Sequence, residues 1–159
     1  MMRNSEAARG ALSNMRVLDL THAIAGPYCT KLLADYGADV VKIERPGTGD
    51  MARRFGPFRG DAPDPERSGL FLYLNTNKRS VTLDLKLAEG RALALRLAAD
   101  ADVVVESFAP GVMASFGLSY DALRAANPAV VLVSISNFGQ TGPYRDYRAT
   151  ELVVEAMGG

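Results

Sequence analysis

Residues 17–45, VLDLTHAIAGPYCTKLLADYGADVVKIER, restrict the folds open to this chain more than any other stretch. A short apolar run, Arg16 to Leu20, precedes a tight turn, a helical segment and a second apolar run, Asp39 to Glu44. Two such runs around a helix are the pattern of a parallel βαβ unit. Pro27 stands in the first turn, where a helix tolerates it, and Gly37 supplies the stop. Leu32, Leu33 and Tyr36 are expected to form the apolar stripe of that helix. In parallel sheets ligands gather outside the carboxyl ends of the strands. Here that place holds Thr21 to Pro27 after the first strand and Arg45 after the second. A cation at that edge suits a phosphate-bearing ligand.

The rest of the chain continues the alternation. Pro46 to Gly69 is rich in Gly, Pro, Asp and Arg without a period and is expected to be a long surface loop. Leu70 to Asn75 fits a short helix or a strand equally. Ser80 to Leu85 reads as the third strand, and Ala88 to Asp100 as a helix with Leu93, Ala94 and Leu97 on one face. Asp102 to Glu106 is the fourth strand. Two short helical pieces follow, one from Pro110-Gly111 to Phe116 and one from Ser119 to Asn127-Pro128. Val130 to Ser136 is the fifth strand, and Ala149 to Met157 a helix with Leu152, Val153 and Ala156 on one side. The order predicts an α/β fold with a doubly wound parallel sheet.

Bulk properties narrow the function. A chain of 159 residues is long enough for one α/β domain with a real core. Its 18 basic and 18 acidic side chains cancel, so no electrostatic footprint points to nucleic acid or an anionic membrane. Apolar runs such as Val103-Val104-Val105 are far too short to cross a bilayer. Met1 to Asn14 carries no apolar core and no cleavage pattern and is expected to be a disordered tail, with the domain spanning 15–159. Cys29 is the one cysteine, which excludes a disulfide or a cysteine zinc site within one chain and fits a cytoplasmic protein. Gly158-Gly159 follow directly on a helix and read as a chain that stops early.

Two nucleotide motifs are absent. The turn after strand one has a single glycine in Ala25-Gly26-Pro27 rather than G-x-G-x-x-G, and Glu44 is followed at once by Arg45. A dinucleotide oxidoreductase is therefore disfavoured, and no P-loop is present. The candidate site is instead the set of strand ends. It comprises Ala23, Ile24 and Ala25, then Arg45, then Leu83 and Lys86, then Ser107 and Phe108. The set offers two cations for phosphate and an aromatic ring to cover a base. No metal centre is expected, since His22 is the only histidine. His22 is read as turn chemistry, Cys29 as a small helix residue, and Met113 and Phe116 as core.

Four blocks then carry a resemblance. They are VLDLTHAIAGPYCTKLLADYGADVVKIERPGTGD, LNTNKRSVTLDLK, ADVVVESFAPGVMASFGLSYDAL and NPAVVLVSISNFGQTGPY. Their order and spacing resemble the amino-terminal part of class III CoA-transferases, the group of formyl-CoA and carnitine-CoA transferases. The resemblance implies a Rossmann-like large domain, of which this chain is an incomplete amino-terminal portion, and an interlocked homodimer. It implies coenzyme A and acyl-CoA as substrates, with no covalently held cofactor, and a carboxylic acid as acceptor. Carried over, the CoA contacts are Ala23, Ile24, Ala25, Arg45, Leu83, Lys86, Ser107, Phe108 and Arg148. Ile24 and Ser107 stand where some members have an amide side chain.

The family chemistry runs through an aspartate that attacks the acyl-CoA thioester and forms a mixed anhydride, then an aspartyl-CoA thioester. The resemblance puts that aspartate beyond Gly159, and Asp146 and Glu155 do not fit its motif. Glu151 matches an auxiliary acidic position. The 159 residues alone are therefore expected to be inactive. The related alpha-methylacyl-CoA racemase uses a histidine base where this chain has Thr150, and threonine cannot move a carbon acid's proton at neutral pH. The transferase reading is preferred over the racemase, and a non-catalytic CoA-binding module is the alternative should the chain end at Gly159.

Overall fold

A computed structural model describes residues 10–158. Five strands, β1 (Arg16–Leu20), β2 (Asp39–Glu44), β3 (Arg79–Thr82), β4 (Val103–Glu106) and β5 (Val131–Ser134), form one sheet. Its order is β3-β2-β1-β4-β5, and every neighbouring pair is parallel. The helices are α1 (Ala25–Asp35), α2 (Gly69–Leu74), α3 (Ala88–Ala99), α4 (Val112–Ser115), α5 (Tyr120–Ala126) and α6 (Glu151–Gly158). The strand order reverses direction between β1 and β4, which makes the carboxyl ends of those two strands the topological switch point.

Alternation along the strands builds two cores. Leu18, Leu20, Ile43 and Val104 face Ala94 and Ala98 of α3, Met113 of α4 and Leu123 of α5. Val17, Val40 and Val105 face the other way, against Ala34 of α1 and Ala38. Parallel strands must bury both faces in this way, and β1 is buried from Val17 to Leu20. Truncating a fully buried leucine such as Leu123 in such a core costs about 2–5 kcal/mol.

Strands one and two, α1 and α3 form within a residue or two of the expected places. Their buried faces match the expected ones in part, since Leu33, Ala94 and Leu97 pack on the cores. In α1 the buried residues are Gly26, Pro27, Thr30 and Ala34, while Leu32 and Tyr36 are exposed. In α3 they are Gly90, Ala94 and Ala98, while Leu93 is exposed. Where the two helices come closest to their neighbours, small residues make the contact. A Cβ at Gly26 would sit 2.4 Å from Thr21 Cβ, and one at Gly90 would sit 2.0 Å from the Asp84 carbonyl oxygen. No residue of α6 is buried, including the expected Leu152, Val153 and Ala156 face.

Three further expectations change. The ambiguous stretch near residue 70 is α2, capped by Ser68, whose hydroxyl accepts from Phe71 N–H. The segment 46–69 is largely exposed, as expected of a surface loop, but it is ordered by polar anchors. It carries two 3-10 turns, Met51–Arg54 and Arg59–Asp61, and buries Asp50, Ala52 and Ser68, with Ala52 against Phe71 and Leu74. Residues 10–14, expected in a disordered tail, form a turn tied to α1 by a bond from Leu12 N–H to the Tyr36 carbonyl. Leu12 also packs on the second core. Residues 1–9 of that expected tail lie outside the described residues.

Candidate functional site at the carboxyl edge of the sheet

Where β1 ends, Thr21 is buried and its N–H and hydroxyl both reach Asp19 Oδ1. The chain then turns sharply. Ala23 takes φ +67°, a left-handed conformation that residues with a Cβ rarely adopt. Across the switch point, the main-chain N–H of His22 donates to Ser107 Oγ at 2.9 Å. The His22 ring stands 5.8 Å from the Phe108 ring, which meets Phe116 edge-on at 5.8 Å. Phe108 is oriented from behind by its own N–H, which donates to Glu106 Oε2 at 2.7 Å.

The row His22–Phe108 divides the edge into two adjoining grooves. The first, about 270 Å³, is bordered by Arg45, Leu83, Lys86 and Phe108, with Phe116 closing one side. The second, about 940 Å³, is bordered by Ala23, Ile24, Ala25, Ser107, Phe108 and Arg148, with Glu151 at its margin. Every residue expected at the site thus lies on one of the two grooves. Of the two read as core, Met113 is buried, and Phe116 is half-buried, packing on the first core and also facing the first groove.

Arg45 and Lys86 are exposed at the rim of the first groove, and among the described residues neither makes an ion pair. Arg45 follows β2 and opens a turn closed by Gly49 N–H bonding to its carbonyl at 3.0 Å. Lys86 is placed by a turn in which its N–H donates to Asp84 Oδ1 and its carbonyl accepts from Arg91. Arg148 follows a loop knit by Phe138, Tyr144 and Tyr147, whose rings lie 5.2–6.2 Å apart. Asn137 Nδ2 bridges that loop to the Ala149 carbonyl at 3.3 Å. Thr150 starts α6, its carbonyl accepting from Val153 and Val154.

Beneath the turn lies a network that sequence reasoning missed. Asp19, Lys42, Asp50 and Lys78 are all buried, two carboxylates against two ammonium groups. Lys42 Nζ lies 2.8 Å from Asp50 Oδ2 and 4.0 Å from Asp19 Oδ2, and Lys78 Nζ lies 3.0 Å from Asp19 Oδ2. Burial works to raise the Asp19 pKa, but Lys42, Lys78 and the hydroxyls of Thr21 and Thr30 together hold it below the usual carboxylate range. The signal was in the sequence: Asp19 and Lys42 interrupt strands that are otherwise apolar.

Glu44 fixes the next segment. Its carboxylate accepts from Arg53 Nε at 2.7 Å, Arg53 NH2 at 2.8 Å, Ser80 Oγ at 2.7 Å and Asp50 N–H at 2.9 Å. Burial opposes ionisation, yet these donors lower its pKa from 4.5 to about 2. His22 is pushed below its ordinary value by burial, with Asp50 pulling the other way and Lys42 and Arg45 reinforcing the fall. The neutral form of the imidazole is thereby favoured. The Cys29 thiol is pushed up by burial and by the Asp19 charge, so it behaves as the small helix residue expected of it.

A parallel edge with rim cations and an aromatic divider suits a ligand with phosphates and a ring. Comparison with known proteins decides the family. The model of CoA-transferase family III matches residues 12–159. The chain belongs to CoA-transferase family III.

Among curated members, the chain is 45% identical over 148 residues to the succinyl-CoA–D-citramalate CoA-transferase of Chloroflexus aurantiacus. That match covers 93% of this chain and 36% of the relative. It is 46% identical over 149 residues to the formyl-CoA:oxalate CoA-transferase of Afipia carboxidovorans, covering 94% of this chain and 34% of the relative. A solved CAIB/BAIF family protein from Brucella suis superposes with TM-score 0.85 at 38% identity, covering 95% of this chain and 40% of that one. This family III chain thus spans under two-fifths of the length of the two curated relatives. Among the described residues no helix is long and apolar enough to cross a membrane.

Proposed function

We propose that residues 15–159 are the CoA-binding part of the large domain of an enzyme that moves CoA from an acyl-CoA donor to a carboxylic acid. The observation that carries this reading is the convergence of Arg45, Lys86 and Phe108 on one groove and of Ala23–Ala25, Ser107 and Arg148 on its neighbour. Phosphates belong with the rim cations of the first groove, where Arg45 and Lys86 are free to pair with them. The base lies against Leu83 and the Phe108 ring. The pantetheine arm then runs past His22 into the second groove, toward the first turn of α1.

In that groove the acyl thioester meets small side chains and main-chain groups of residues 23–25. Ile24 is 58% exposed there and sets an apolar wall where an amide would offer hydrogen bonds, so it bears on which acyl group fits. The start of α1 favours the negative charge that develops on a thioester oxygen under attack. Arg148 supplies a further contact to CoA in this groove, and Glu151 beside it is auxiliary. The nucleophile is an aspartate outside the present 159 residues. It attacks the donor thioester to form a mixed anhydride and CoA thiolate. The thiolate attacks the aspartyl carbonyl of that anhydride, giving an aspartyl-CoA thioester and releasing the donor acid. The acceptor carboxylate then forms a second anhydride and frees the thiolate, which attacks the acceptor's acyl carbon and returns the aspartate. The protein works as an interlocked homodimer in the cytoplasm.

The test is a transfer assay with the full chain. Several acyl-CoA donors and dicarboxylic or short monocarboxylic acids are incubated with it, and new thioesters are followed by mass spectrometry. A new acceptor-CoA thioester with one-for-one loss of donor is the expected result. The present 159 residues alone are expected to bind CoA and to produce none. Binding of neither CoA nor acyl-CoA by the full chain would overturn the reading.

A further inference from the structure

We propose that Asp50, at the floor of the first groove, is a positioning residue for the turn after β1 that fixes the backbone of Ala23. The inference rests on reading that turn as part of the CoA site. Asp50 belongs to the segment 46–69, yet it is only 3% exposed. Its Oδ1 accepts from Ala23 N–H at 3.0 Å and from Ala52 N–H at 2.8 Å. Its Oδ2 lies 2.8 Å from Lys42 Nζ but receives no aligned hydrogen bond, so it holds Lys42 by charge.

Lys42 in turn donates to the Thr21 carbonyl at 2.7 Å. One buried ion pair therefore grips the turn at two places, the carbonyl of Thr21 and the N–H of Ala23. Between these lies the change of direction from strand to helix. Ala23 needs such a grip, because its φ of +67° is disfavoured for any residue with a Cβ. Ala23, Ile24 and Ala25 border the second groove, so the Ala23 conformation decides where that wall and the start of α1 stand.

Asp50 is itself held. Its N–H donates to Glu44 Oε2 at 2.9 Å, and Gly49 just before it takes φ +61°. A Cβ on Gly49 would come within 2.6 Å of Arg53 Cδ and 2.9 Å of Glu44 Oε2. The line Glu44–Asp50–Ala23 thus runs from the end of β2, which also carries Arg45, to the turn after β1. A buried ion pair is a poor source of net stability when compared with apolar side chains of the same volume. Its place here is explained by the backbone geometry that it imposes.

The experiment compares Asp50→Asn, Asp50→Ala, Ala23→Gly and the double variant Asp50→Ala/Ala23→Gly in the full chain. Three quantities are read: CoA affinity by calorimetry, thermal midpoint, and hydrogen exchange of the Ala23 amide. Asp50→Ala is expected to speed Ala23 exchange and to weaken CoA binding by about tenfold. Asp50→Asn keeps an oxygen acceptor and is expected to lose less. Glycine adopts a left-handed conformation without support. The double variant is therefore expected to regain affinity while its thermal midpoint stays low, a pattern that general destabilisation does not produce. Asp50→Ala with a lowered midpoint but parental Ala23 exchange and parental CoA affinity would overturn the proposal. If the parent binds no CoA, the functional reading fails, and the exchange of Ala23 alone decides the role of Asp50. Fast exchange in Asp50→Ala then supports it and unchanged exchange overturns it.

Discussion

The His22 N–H and the Ser107 hydroxyl, 85 residues apart in the chain, meet at 2.9 Å and join the ends of β1 and β4. These are the two strands between which the sheet order reverses, so this one pair of residues pins the crevice where both grooves begin. Ser107→Ala leaves the His22 N–H without that partner. It is expected to lower stability by about 0.5–1.5 kcal/mol, seen as a shifted urea midpoint with unchanged slope. An unmoved midpoint would show that the bond does not hold the strand ends together.

Gly26 lets α1 descend onto the end of β1. With alanine there, a Cβ would stand 2.4 Å from Thr21 Cβ and 2.6 Å from Thr21 Cγ2. Thr21 is buried and doubly bonded to Asp19, so it cannot yield cheaply. Gly26→Ala is expected to cost about 1–3 kcal/mol and to weaken CoA binding by displacing residues 23–25. Full stability and parental affinity together would contradict the close packing.

Glu44 gives a pH dependence with a defined sign. Its folded pKa, about 2, lies below its ordinary 4.5, so the folded state favours the carboxylate. The stability that it contributes is complete above pH 4.5 and is lost as pH falls through that value toward 2. Glu44→Gln is expected to be less stable than the parent at pH 7. The gap between them should narrow on acidification, as measured by urea unfolding at a series of pH values. A gap that stays constant down to low pH would remove Glu44 from the acid response.

Cys29 is half-buried and its thiol is pushed up by burial and by Asp19. Since the thiolate is the nucleophile, Cys29 is expected to react with a thiol reagent at pH 7 more slowly than free cysteine does. A faster rate would mean that the start of α1 activates it.

The elements were largely legible because parallel strands announce themselves as apolar runs closed by turns, and β1 and β2 fall on the expected residues. The site was legible at the same level, since a parallel sheet brings all its carboxyl ends to one edge. Helix faces were legible only in part, at Leu33, Ala94 and Leu97. Choosing Leu32, Tyr36 and Leu93 assumed that large apolar residues seek the core, whereas close approach at Gly26 and Gly90 leaves room only for small ones. The order in segment 46–69 was hidden because polar anchors hold it. Asp50 and Ser68 look like loop residues in sequence and are buried only because Lys42 and the Ala52 and Phe55 carbonyls receive them. Phe116 does pack on the first core, and its second place, as a groove wall, follows from the Phe108 ring that it meets edge-on.

The central claim is that the edge bearing Arg45 receives the phosphates of CoA. Calorimetric titration of the full chain and of Arg45→Ala with CoA, at low and high salt, tests it most directly, with Lys86→Ala alongside. Losing a charge-assisted contact is worth about 1.5–3 kcal/mol, so Arg45→Ala should bind CoA roughly ten- to a hundredfold more weakly. That deficit should shrink at high salt and against an analogue lacking the contacted phosphate. Parental affinity in Arg45→Ala at low salt would mean that the arginine is only surface charge and that CoA does not bind at this edge as described.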